Sequence, residues 1–133
     1  MQEVGAVTIG QIRDGERLEK ALLELDGLQR ENGEAAAQGD TARKKWESVR
    51  KIMETDNLIE VARMLAIAAL ERKESRGGHF RFDYPEVDTE NWTCNIVLKA
   101  ENGRIISRRE AVPGEEAANP PPGVPETAAM PGD

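Results

Sequence analysis

At 133 residues the chain has room for one domain and its tails, and a net charge of −7 with a pI near 4.9 denies it the basic face that nucleic acid phosphates require. Aromatic side chains make up 4% of the sequence and charged ones 32%, so any core is thin. Cys94, with no second cysteine, excludes an internal disulfide and, with one histidine, a zinc site of the usual ligand count; this fits a reducing, cytoplasmic setting, and neither a long apolar run nor a basic-then-apolar start marks a membrane span or a secretion signal.

Residues 4–12 are β-branched and interrupted by Gly5 and Gly10, a lead-in too short to assign to strand or helix. These glycines lack the pattern of a dinucleotide or phosphate loop. From Asp14 onward Leu18, Ala21, Leu22, Leu25 and Leu28 recur at three- and four-residue steps, which predicts an amphipathic helix over about 14–31. Asp14 is its N-cap and Asn32-Gly33 its stop, and the stretch to Asp40 reads as a loop that reverses the chain.

A second helix is predicted over about 40–73. Glu47 stands four residues before Lys51, the favourable order for a solvated helical face. Thr55-Asp56-Asn57 is its weak point, because three short polar side chains compete for backbone hydrogen bonds. Residues 58–70 are apolar on nearly every side, broken only by Glu60 and Arg63. Each large side chain left uncovered there forgoes roughly 1.5 to 3 kcal/mol of burial, so the helix calls for a further cover. The candidates are a second copy of the chain, which would dimerise through 58–70, or the rest of a larger protein.

After this helix, residues 74–85 gather Arg76, Gly77, His79, Arg81, Asp83 and Tyr84 into one irregular loop, closed by Pro85. Its arginines and histidine could bind a carboxylate or phosphate, and His79 with Asp83 could move protons. The alternative is a latch: Gly77 closes the helix at a left-handed position, and Phe80, Phe82 and Tyr84 alternate into an apolar surface. No nucleophile, second histidine or metal set accompanies His79, which tilts the reading to the latch, with no catalytic, cofactor-binding or metal-binding residue assigned. Residues 88–92 form a short capped turn ending in Trp92, read as a packing residue. Runs over about 94–100 and 104–110 flank Asn102-Gly103, a strong β-hairpin signal. A proline-rich acidic tail over 111–133 is expected to be disordered. The fold expected is mainly α, a helical bundle or hairpin over residues 1–110 with a small C-terminal β-hairpin.

The order Arg72-Lys73-Glu74-Ser75-Arg76-Gly77-Gly78-His79, then Arg81, Asp83, Tyr84, Pro85, Asp88, Asn91 and Trp92, resembles the motif in the C-terminal helical domain of the succinate dehydrogenase and fumarate reductase flavoproteins, a family that includes L-aspartate oxidase. Arg13 to Leu22, Asp56-Asn57-Leu58 and the closing hairpin follow the family's order. Departures are Gly78, where alanine is common, Val87, where arginine is frequent, and Asn95, where histidine is frequent. The resemblance implies a domain of an FAD-dependent oxidoreductase that braces FAD-binding and capping domains, and that binds no FAD and is inactive by itself. It implies a place in the cytoplasm or at the membrane periphery within a complex, without direct membrane insertion. Arg76, Gly77, His79, Arg81, Asp83, Tyr84 and Trp92 would then form an interdomain latch. A free-standing helical module that self-associates is the alternative reading.

Overall fold

The computed structural model describes residues 10–37, 42–101 and 104–114, with backbone alone at 36–37 and 42–45. In chain order the elements are β1 (Ile12–Arg13), α1 (Gly15–Ala37), α2 (Ala42–Glu71), β2 (Phe80–Arg81), α3 (Thr89–Trp92), β3 (Cys94–Glu101) and β4 (Arg104–Ala111). Asp14 caps α1 as its sequence position suggests, its Oδ1 accepting from the Arg17 amide at 2.8 Å. The spacing of Leu18, Ala21 and Leu25 puts all three on one face, where they are fully buried against Ile59, Ala66 and Ala69 of α2. Leu22, Leu28, Ala62 and Leu70 border that core.

The two helices form an antiparallel hairpin. Gly15 lies within reach of Leu70, Asp26 meets Arg63, and Asn32 meets Ile52, so residue numbers rise along one helix as they fall along the other. Two features of this pairing were not legible in the periodicity. Arg63, one of the two breaks in the apolar run, is buried and reaches across to Asp26 at 2.6 Å and Gln29 at 2.7 Å. Asn32, expected with Gly33 to end the first helix at about 31, donates to the Ile52 carbonyl at 3.0 Å and the Asp56 carboxylate at 2.8 Å. Its side chain is engaged by the facing helix rather than by its own backbone, so α1 runs on to Ala37. The same contact holds Asp56 within a continuous α2, which therefore does not break at 55–57.

At its far end α2 stops at Glu71, two residues short of the expected 73. Gly77 has the expected positive φ of 56°, but it does not close the helix. It sits in a tight hairpin in which Arg76 and His79 exchange backbone hydrogen bonds of 2.8 and 2.9 Å. Of the two central residues only the first has positive φ, the pattern of a type II′ turn. Ile12, at the end of the lead-in, belongs to β1, which pairs in parallel with β2, Ile12 opposite Phe80 and Arg13 opposite Arg81.

The capped turn predicted at 88–92 is α3, with Asp88 accepting from the Asn91 amide at 3.0 Å. Strands β3 and β4 pair antiparallel from Cys94 opposite Ala111 to Glu101 opposite Arg104, leaving a two-residue connection. Asn102-Gly103 itself, the expected start of the second helix at about residue 40, and residues 1–9 and 115–133 lie outside the described residues. Ala111, expected to begin the tail, is the last residue of β4. The hairpin lies on the end of α2, where Arg109 of β4 donates to Glu71 at 3.2 Å and covers the buried Trp92 ring at 3.8 Å. No described helix is long and apolar enough to cross a membrane.

Replacing Gly77 by alanine should cost about 1–2 kcal/mol of unfolding free energy, because an L side chain is strained at its positive φ. Gly78→Ala should stay within about 0.5 kcal/mol, since nothing lies within 4 Å of the added carbon and φ is not positive there. Urea midpoints of the two variants check the contrast.

Candidate functional site

The loop after α2 is built around two buried charged groups, Arg81 and Glu74. An α-helix leaves its last carbonyls without partners, and burying such groups unsatisfied is costly. Arg81, brought to the helix end by β2, turns Nη1 toward the carbonyls of Ala69 at 2.6 Å, Leu70 at 3.0 Å and Arg72 at 3.3 Å. The charge also suits the negative end of the helix dipole.

On its other edge Arg81 forms a two-pronged pair with Asp83, Nε to Oδ1 at 2.7 Å and Nη2 to Oδ2 at 2.6 Å. The Asp83 Oδ2 atom also accepts the Gly15 amide at 3.0 Å, satisfying the first orphan donor of α1. One ion pair thus closes the end of one helix and the start of the other. A side chain at position 15 would press on it, since an added Cβ would lie 3.1 Å from Asp83 Oδ2 and 3.2 Å from Arg81 Nη2. The Arg81 guanidinium, opposed only in part by burial, holds the Asp83 carboxyl down to about 2 from an ordinary 3.8.

Glu74 is fully buried and collects four donors: Arg72 Nη1 at 2.6 Å, Arg76 Nε and Nη2 at 2.9 and 3.2 Å, and the Asp88 amide at 2.9 Å. Burial pushes its carboxyl up, but the bonds from Arg76, the Asp88 amide and Arg72 prevail and leave it below the usual carboxylate range. Arg72 also donates to the Trp92 carbonyl at 3.0 Å and the Cys94 carbonyl at 2.6 Å, tying the loop to the β-hairpin. Trp92 is held between Arg72 and Arg109, and Arg81 faces the Tyr84 ring at 5.1 Å. Ser75 pins the loop's interior: its hydroxyl donates to the Tyr84 carbonyl at 2.8 Å and accepts from the Arg81 amide at 2.8 Å.

His79 lies between Arg13 Nη1, 2.6 Å from Nδ1, and the Arg72 carbonyl, 3.3 Å from Nε2. A guanidinium can only donate and a carbonyl can only accept, so Nδ1 is the acceptor and Nε2 carries the proton. Burial and then the charges of Arg13, Arg81 and Arg72 push the imidazole below its ordinary 6.5 against the raising effect of the Arg72 carbonyl.

The sequence-selected residues Arg76, Gly77, His79, Arg81, Asp83 and Tyr84 therefore converge with Trp92 on one junction, at the common end of α1, α2 and the hairpin. Their aromatic neighbours do not turn inward as an alternating face would. Phe80 and Tyr84 are partly exposed, and Phe82 is mostly exposed and stacks edge-on against Phe80 at 5.6 Å. Gly15, Arg13, Glu74 and Ser75 were not singled out as contacts. The local signal for Gly15 was a glycine directly after an aspartate cap, where helix propensity alone would not choose one.

The matched family model is the fumarate reductase flavoprotein C-terminal model, over residues 1–121. The chain belongs to this flavoprotein C-terminal family. Among curated relatives, the succinate dehydrogenase flavoprotein subunit of Coxiella burnetii is 35% identical over 108 residues, 81% of this chain and 18% of that protein. L-aspartate oxidase of Yersinia pestis is 37% identical over 78 residues, 59% of this chain and 13% of that protein. Among solved structures, Mycobacterium smegmatis Sdh1 in complex with UQ1 superposes with a TM-score of 0.72 at 29% identity, covering 83% of this chain and 19% of that one. The chain thus spans less than a fifth of the length of these relatives. Its helical hairpin with a β-hairpin is the C-terminal structural domain of the succinate dehydrogenase and fumarate reductase type of flavoprotein.

Arg81→Leu should lower unfolding free energy by about 3–5 kcal/mol, because it strands Asp83 and two helix-end carbonyls together. The Asp83 contribution carries a pH signature. Its folded pKa lies below its unfolded one, so its stabilisation is complete above about 3.8 and is lost as pH falls toward 2. The stability gap between the native chain and Asp83→Asn should accordingly be constant at neutral pH and narrow across that window, as read from urea unfolding at a series of pH values.

Proposed function

We propose that this domain braces the FAD-binding and capping parts of a succinate dehydrogenase or fumarate reductase type of oxidoreductase, and that residues 74–85 are the latch through which it does so. The observation that carries this reading is an uncovered apolar surface beside a fully braced junction. Leu58, Val61 and Leu65 recur along one face of α2 and are each more than half exposed, while the adjoining face packs on α1. Ile12, Phe80, Phe82 and Tyr84 add exposed apolar area at the loop. A patch of that kind on a small domain marks an interaction surface.

The chemistry of the loop supports the same role. Arg81, Asp83 and Glu74 each end on backbone groups or on one another, and both nitrogens of His79 are engaged by neighbours of the same chain. Groups tied up in this way set a shape and leave no proton acceptor for a substrate. FAD and the dicarboxylate chemistry would reside in the other domains, and the complete enzyme would work in the cytoplasm or at the membrane periphery as part of a complex.

The purified chain should carry no flavin, and a stoichiometric yellow complex would sink the proposal. It should enhance the fluorescence of a hydrophobic probe dye, and the combined Leu58→Glu and Leu65→Glu changes should reduce that enhancement while preserving the far-UV helical spectrum. A chain that ignores the dye would contradict the uncovered-face argument.

A further inference from the structure

The end of the helical hairpin remote from the junction is fastened by one side chain. The core between α1 and α2 runs from Leu18 to Leu28 on one helix and from Ile59 to Leu70 on the other. Beyond it, among the described residues, the hydrogen bonds that cross between the helices are the Gln29–Arg63 bond and the two that Asn32 Nδ2 gives, to the Ile52 carbonyl at 3.0 Å and to Asp56 Oδ1 at 2.8 Å. Both partners of Asn32 are acceptors, so the site takes an amide nitrogen; an ionised carboxylate in its place would have nothing to donate. Gly33 follows inside the helix although the fold asks for no glycine there. Its φ is not positive, nothing lies within 4 Å of an added Cβ, and glycine is the poorest helix former after proline.

An asparagine followed by glycine carries its own reaction. The glycine amide nitrogen, unhindered by a side chain, attacks the asparagine Cγ and forms the N–Cγ bond of a five-membered imide. The Cγ–Nδ2 bond breaks, and Nδ2 leaves as ammonia with the proton that the glycine amide gives up. Water then opens the ring at either carbonyl, giving aspartate or, with the main chain routed through Cγ, isoaspartate. Amide and water become acid and ammonia, and no electrons are transferred. In the closed hairpin this is held off twice. As an interior residue of α1, Gly33 gives its amide to the carbonyl four residues back, away from Cγ. The leaving nitrogen is meanwhile clasped by α2.

We infer that Asn32-Gly33 is a one-way modification site gated by the clasp: it reacts when the far end of the hairpin opens, and the acid it leaves cannot be clasped again. A carboxylate at position 32 would meet the Asp56 carboxylate and the Ile52 carbonyl, three acceptors and two like charges at hydrogen-bond distance. Isoaspartate would in addition insert a carbon into the helical backbone. The modification therefore records an opening and fixes it, while the core from Leu18 to Leu28 keeps its partners on α2. The site is a property of this chain and stands whether or not the bracing role does.

Timed peptide maps of the full chain at pH 8, with isoaspartate read by methyltransferase labelling, test it. The sequence repeats Glu-Asn-Gly at 101–103, so Asn102 is an internal reference. In guanidinium chloride the two asparagines should react at like rates. In buffer Asn32 should react about tenfold or more slowly than in denaturant, because the opening equilibrium sets the ratio. Asp56→Ala removes one acceptor of the clasp and should speed Asn32 in buffer severalfold, with amide exchange protection over 62–70 retained and the rate in denaturant unchanged. Gly33→Ala should slow Asn32, and not Asn102, in denaturant. At neutral pH, Asn32→Asp should lose protection over 50–56 and keep it over 62–70. Equal Asn32 rates in buffer and denaturant, no acceleration in Asp56→Ala, an Asn32 rate indifferent to Gly33→Ala, or native protection over 50–56 in Asn32→Asp would each overturn the inference.

Discussion

The Arg81 guanidinium is the interaction on which the arrangement depends. Its two edges do different work: one neutralises the carbonyl end of α2, and the other fixes a carboxylate over the amide start of α1. Helix ends are where backbone groups lack partners, and two such ends meet here. A buried ion pair is often a poor source of stability, because desolvation offsets the attraction. This one differs in that Arg81 Nη1 and Asp83 Oδ2 are also bonded to backbone, so the pair satisfies helix-end groups that the Asp14 cap does not reach.

The same logic organises the neighbouring charges. Glu74 binds Arg72, Arg76 and the Asp88 amide, and Arg72 passes on to the carbonyls of Trp92 and Cys94. The β-hairpin, marginal on its own, is thereby fastened to the helices at its first residue. Trp92 fills the angle between them, with arginines against its ring. A sequence poor in aromatics thus obtains its second packing centre from one tryptophan and long charged side chains whose stems are buried.

Much of this was legible from residue order. Helical periodicity located Leu18, Ala21 and Leu25 in the core, and Asn-Gly between two β-rich runs located the hairpin. Other points depended on contacts between residues far apart in sequence. Asn32-Gly33 has the composition of a stop, yet the side chain found an acceptor on α2, so the local preference was overridden. Gly77 looked like a helix cap because it follows a helix, whereas the cap is a side chain four residues beyond it. Arg63 interrupted the apolar pattern and could be recognised as a core residue only once Asp26 and Gln29 stood opposite. The residues of the 74–85 loop stood out as a group from their motif, but which was structural keystone and which was periphery followed from burial: Arg81 is enclosed, while Arg76 reaches toward solvent.

The Gly15–Asp83 bond has a consequence for the order in which the chain can form. The first turn of α1 is completed by a carboxylate 68 positions further along. At ribosomal rates of about 5–20 residues per second, that partner emerges roughly 3 to 14 seconds after the turn it completes. For most of that interval α1 has its Asp14 cap but neither the Asp83 contact nor the apolar face of α2 to lie on. The nascent helix therefore presents Leu18, Leu25 and their neighbours to whatever surrounds the ribosome exit, and its protection arrives late and all at once, when the loop carrying Arg81 and Asp83 closes over both helix ends.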